Sequence, residues 1–132
     1  MKVVNLIFAA FLLIFISCEN PTSQLIGTWK VVDVETHFDE AKMSPAMISQ
    51  VVEMQKETFF KISNDTTLII FSSENTHEAK WTYNSDDNSI TYFFDSNPTT
   101  VNKLGKFVDG SIVSETTSAI GKMVITYGKQ PK

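Results

Sequence analysis

The chain has 132 residues, 42% of them hydrophobic and 20% charged. That is an ordinary globular composition, which argues against disorder and leaves room for one compact core rather than two. Its formal net charge is -4 and it contains no arginine, which disfavours nucleic acid as a partner and, without guanidinium clamps for phosphate, nucleotide chemistry as well.

Met1-Lys2 makes a basic start. Val3 to Ile16, with Asn5 the one polar interruption, is an apolar run matching the h-region of a secretory signal. A bilayer span needs about 20 apolar residues, whereas this run breaks at Ser17, Cys18 and Glu19. Export is therefore expected rather than a permanent transmembrane helix. Cys18 is the sole cysteine, so an exported chain offers it no disulfide partner of its own.

Phe15-Ile16-Ser17-Cys18 resembles the lipobox of bacterial lipoproteins, in which the cysteine is diacylated and becomes the first residue, with Phe15 standing where leucine is usual. The resemblance implies a signal peptide over residues 1–17 and a lipid on Cys18 in a polar tether, residues 18–24, which reaches only about 20 Å when extended. Each buried methylene of such an anchor contributes about 0.8 kcal/mol to membrane attachment. The implied location is the cell envelope, with the outer membrane favoured. Loss of the signal leaves ten lysines against fifteen acidic residues, so anionic head groups would not recruit the domain.

Residues 25–132 carry the fold. Leu25 to Thr36 suits a long first strand, with Trp29, Val31, Asp33 and Glu35 on one face and Lys30, Val32 and Val34 on the other. Ser44 can cap a helix, Pro45 suits its first position, and Met47, Ile48, Val51 and Met54 recur at helical spacing; a short amphipathic helix is predicted to end near Glu57. Strand-length runs follow at Thr58 to Ser63, Thr66 to Ser72, Glu78 to Tyr83, Ser89 to Phe94, Val101 to Val108, Ser111 to Thr117 and Lys122 to Tyr127. Turn-forming residues separate them, among them Asn64-Asp65, Ser85 to Asn88, Asp95 to Pro98 and Asp109-Gly110. The fold class predicted is all-β, an up-and-down antiparallel barrel of about eight strands with one short helix between strands 1 and 2.

Leu25-Ile26-Gly27-Thr28-Trp29-Lys30 resembles the Gly-x-Trp signature of lipocalins and the wider calycin superfamily, in particular the lipocalin-like lipoproteins of the Bacteroidetes. The resemblance implies that Trp29 closes the narrow barrel end and that Gly27 permits the approach of the turn before it. Lipocalins also place an arginine near the last strand; here only Lys122 or Lys129 is available, as a point charge.

Trp81 and Tyr83 share a strand face, as do Tyr92 and Phe94 on the next strand, so a hairpin could align them as an aromatic wall, in the core or beside a ligand. Met47 and Met54 on the helix join this candidate ligand-binding set; the helix either plugs the barrel or acts as a lid. Asp33 and Glu35 either point inward beyond Trp29 or stand at a wet rim. His37 with Asp39, and His77 with Glu78, are the available metal-ligand pairs. With no HxxxH, cysteine cluster, Gly-x-Ser-x-Gly or phosphate loop, neither metal, cofactor nor enzymatic activity is expected. Asp65-Thr66-Thr67 resembles the short O-glycosylation motif of Bacteroidetes exported proteins, but turn chemistry alone accounts for it.

The expectation is an envelope lipoprotein whose barrel binds a small apolar ligand; the alternative is a filled barrel serving as an interaction module, an inhibitor or accessory subunit of another envelope protein. For the anchor, Cys18→Ala should abolish metabolic labelling by a fatty-acid analogue and release or mis-sort the domain, and undiminished labelling of that variant would exclude Cys18 as the attachment site.

Overall fold

A computed structural model describes residues 21–72 and 74–131; the apolar run and Cys18 lie outside these described residues. In chain order come helix α1 (Pro21–Leu25), β1 (Gly27–Phe38), helix α2 (Pro45–Lys56), β2 (Phe59–Ile62), β3 (Thr67–Phe71), β4 (Thr76–Asn84), β5 (Ser89–Phe94), β6 (Asn97–Val108), β7 (Ser111–Ser118) and β8 (Gly121–Lys129). The strands form a closed antiparallel barrel in sequence order, with β8 returning to β1. Closure pairs the backbone edges that an open sheet would leave exposed. The β6–β7 hairpin turns through Asp109 and Gly110 at φ 50° and 80°, the two positive values of a type I′ turn.

The first strand departs from simple alternation. Val31 lies opposite Tyr127 while Asp33 lies opposite Thr126, so Val32 is an extra residue, a bulge on the exposed side. Uninterrupted alternation would have carried Asp33 and Glu35 onto the inward face of Trp29. The bulge instead turns both carboxylates to solvent and brings Val34 inward. Burying two unpaired carboxylates would cost several kcal/mol or more, whereas a bulge locally breaks the ladder and adds the twist that a barrel strand needs.

Ser44 caps α2 by accepting a hydrogen bond at 3.3 Å from the Met47 backbone N–H, and Pro45 opens the helix. The helix buries none of its residues and packs mainly against β1. β2 is short, and its four residues pair with β1 only at Gly27 to Lys30, which leaves the rest of β1 without a strand partner on that side. The buried methionine of this region is Met43, in the preceding loop. That loop is tied to the β7–β8 turn by Asp39 N–H donating to the Ile120 carbonyl at 2.9 Å and by Lys42 Nζ to the Ala119 carbonyl at 3.4 Å.

Two other boundaries differ from expectation. The turn predicted through Pro98 ends earlier: β6 starts at Asn97, and an irregular stretch lets Phe94 face Asn97 while Tyr92 faces Asn102. Pro98, lacking an N–H, is accommodated in that irregular start. Pro21–Leu25, expected as a polar tether running to Gln24, forms one helical turn packed on the barrel end, with Leu25 fully buried.

That packing centres on Trp29, which is 1% exposed. Its indole Nε1 donates to the Leu25 carbonyl at 2.8 Å, its ring stacks on Phe60 at 6.5 Å, and the Phe107 ring meets it edge-on at 6.3 Å. Lys129 faces Trp29 across the ladder and donates to the Gln24 carbonyl at 2.8 Å. Gly27 makes room for it: a Cβ there would lie 2.6 Å from Lys129 Cε. Trp29→Ala should therefore cost about 3–5 kcal/mol, in the range for truncating a large buried aromatic. The urea midpoint should fall sharply, with Trp29→Phe losing much less; an unchanged midpoint for the alanine variant would mean that the closed end does not depend on this ring.

Candidate functional site

Cross-strand register sorts the barrel interior into a closed floor and an upper half. On the floor, Trp81 is buried and its Nε1 donates to the Asn64 carbonyl at 2.8 Å. The same asparagine organises the β2–β3 turn, its Oδ1 accepting from the backbone N–H groups of Thr66 and Thr67. The Tyr83 hydroxyl donates at 2.8 Å to Oδ1 of Asn88, which sits at φ 60° in the β4–β5 turn. Both polar ends are thus committed to turns at the closed end.

Tyr92 lies directly opposite Trp81, and Phe94 follows on the same face with its ring edge-on to Tyr92 at 5.7 Å. The structure therefore brings Trp81, Tyr83, Tyr92 and Phe94 into one interior wall, of which Phe94 lies farthest from the floor. Met47 and Met54 are not part of it: on α2 they are 53% and 61% exposed.

Sequence reasoning overlooked Tyr127. The closing strand β8 carries it round to face Val31 and Ile112, 8% exposed, with its ring 4.9 Å from Phe60. Burial raises the Tyr92 phenol above its ordinary range; burial, and then the neighbouring Tyr92 phenol, raise that of Tyr127. Neither hydroxyl has a hydrogen-bond partner among the described residues, and no fully buried side-chain polar atom there is left unsatisfied. The two hydroxyls thus reach accessible space, Tyr127 from a buried ring and Tyr92 from a half-buried one. The inward alternation of Met123, Ile125 and Tyr127 was the available signal.

The wall is incomplete on one side. β6 and β7 pair only where Lys106 to Val108 face Val113 to Ser111. Beyond that, β6 continues along β5 and β7 along β8, and the strands part around a cleft of about 550 Å³. Its lining mixes positions of both faces: Ser114 and Thr116, opposite the interior Ile125 and Met123, with the outward Lys103, Lys106 and Glu115. Gly105 marks the point of parting, where a Cβ would lie 2.6 Å from the Val113 carbonyl oxygen.

The histidines are not gathered. His37 Nε2 lies 3.0 Å from Glu35 Oε1 on the outer face of β1, whereas His77 stands beside Phe94, 6.2 Å between ring centres. Among the described residues no group of three or more His, Cys, Asp or Glu side chains could hold a metal ion, and no helix is long and apolar enough to cross a membrane. No protein family, curated protein or solved structure matches the chain.

The interior phenols carry a pH dependence. Each is held neutral in the fold beyond its unfolded value near 10, so their contribution is fully present below pH 10 and is lost as pH rises through the higher folded values. An absorbance titration should show two late phenolates, and stability should fall above about pH 10. Tyr92→Phe should bring the Tyr127 ionisation to lower pH; a Tyr127 titration unmoved by that change would separate the two rings.

Proposed function

We propose that this protein is an envelope lipoprotein, anchored through a lipid on Cys18, whose lipocalin-like barrel binds a small apolar molecule in its interior. The observation that carries the binding reading is the pair of interior hydroxyls, Tyr92 and Tyr127, which have no protein partner among the described residues and sit among apolar side chains. A ligand with one polar group would satisfy them while its apolar part replaced water against Ile70, Phe94 and Met123, which are partly buried around the core. The lipocalin resemblance is supported by a Trp29 that closes one barrel end and by Lys129 placed beside it in the role of the missing arginine. Fold likeness alone names no ligand.

The anchor reading rests on the lipobox-like Phe15-Ile16-Ser17-Cys18. With α1 beginning at Pro21, residues 19 and 20 alone separate Cys18 from the folded domain, a reach of about 10 Å. A lipid on Cys18 therefore holds the closed end near the bilayer and turns the upper half away from it.

The rival reading, an interaction module, is favoured by the exposure of Met47 and Met54 on a helix that buries none of its residues. Native mass spectrometry of protein purified from its own envelope separates the two. Ligand binding predicts retained mass beyond the acylated chain, lost in Tyr92→Phe/Tyr127→Phe. A chain that carries no additional mass, and whose melting temperature no apolar compound raises, overturns ligand binding in favour of the interaction module.

A further inference from the structure

We propose that the cleft between β6 and β7 is a lateral port through which the barrel takes up a single-chain amphiphile with an anionic head group, the head held at Lys103 and Lys106 and the chain directed inward past Ser114 and Thr116. This rests on the ligand-binding reading above and adds to it the route and the chemical class of the ligand.

The first argument is connectivity. A groove on the surface of a barrel is lined by outward residues alone, but this cleft is lined by successive residues of β7 that alternate between the two faces. It therefore lies at the gap between the two strands and reaches both faces of β7. Its volume, about 550 Å³, falls within the range of small-molecule sites, about 300–1,000 Å³.

The second argument is the other end of the barrel. There the loop before α2 is hydrogen-bonded to the β7–β8 turn at Asp39 and Lys42, and Met43 is buried beneath it. Entry by that route has to break these bonds. Entry between β6 and β7 breaks none, since neither strand pairs with the other beyond Gly105.

The third argument is charge. The protein is acidic overall, at -4, yet the cleft is basic. Lys103 and Lys106 form no ion pair among the described residues, and Asp87, which the charge of Lys106 influences, lies outside the lining. Glu115, the acid of the cleft, is neutralised by Lys122 at 3.2 Å. A carboxylate or sulfate head group would meet two lysines at a wet rim, where ionic contact carries little desolvation penalty. The chain behind it would gain roughly fourfold in affinity per buried methylene.

The test uses the delipidated full mature chain with dodecanoate, dodecanol and dodecyltrimethylammonium, titrated calorimetrically, with association followed by stopped-flow Trp81 emission in Trp29→Phe. Dodecanoate should bind about tenfold more tightly than dodecanol, and the ammonium compound most weakly. Lys103→Glu/Lys106→Glu should remove the preference for dodecanoate and leave dodecanol unchanged. Thr116→Phe should slow association of both at an unchanged melting temperature. Should the charge-reversed variant fold poorly, Lys103→Gln/Lys106→Gln and the loss of dodecanoate affinity with added salt test the same point. Equal binding of all three probes, indifferent to charge reversal, would overturn the anionic port while leaving ligand binding in place. No binding of any probe by a protein that retains native mass overturns the proposed class, whereas absence of native mass as well overturns the binding reading itself.

Discussion

The indole of Trp29 is the constraint on which the rest of the barrel depends. Its ring is the floor against which Phe60 and Phe107 pack, and its N–H fixes the end of α1 through the Leu25 carbonyl. A buried indole without that acceptor would carry an unsatisfied donor, so ring burial and the short N-terminal helix support each other. Lys129 adds a second tie between the last strand and α1. Four separate parts of the chain, residues 21–29, the β2 strand, the end of β6 and the C-terminal strand, thereby meet at one side chain.

The interior aromatics divide by what holds their polar atoms. Trp29, Trp81 and Tyr83 each have a protein acceptor, on Leu25, Asn64 and Asn88. Tyr92 and Tyr127 have none among the described residues, although the Tyr127 ring packs on Phe60. The first three therefore tie the barrel to its turns and to α1, while the phenols of the other two are left uncommitted by the fold.

Much of this was readable in the sequence because it is local. β5 runs from Ser89 to Phe94 as alternation predicts, Ser44 and Pro45 start the helix, and Asp109-Gly110 turns the hairpin. What was not readable is set by neighbours distant in sequence. The bulge at Val32 is invisible in a run of valines, which suit either face; only the match of Val31 to Tyr127 and Asp33 to Thr126 reveals it. The place of Tyr127 in the interior follows from closure of β8 on β1, and the parting of β6 and β7 follows from a register that pairs them only from Lys106–Val113 to Val108–Ser111. Pro21 to Gln24 read as a tether, and Leu25 as the start of the first strand, because a single turn carries too little periodicity to detect.

The longest ladder in the barrel, broken only by the bulge at Val32, is between its first and last strands, from Trp29 opposite Lys129 to Phe38 opposite Gly121. Neighbouring strands can form hairpins as soon as both exist, but this ladder joins residues separated by nearly the whole domain, and closing so large a loop is slow. A chain emerging N-terminus first, from a ribosome or through a membrane pore, therefore holds β1 unmatched along most of its length until β8 has also emerged. The barrel is thus kept from closing prematurely by the order of its own strands, and a polypeptide that must stay threadable during passage retains that property until its C-terminal strand arrives.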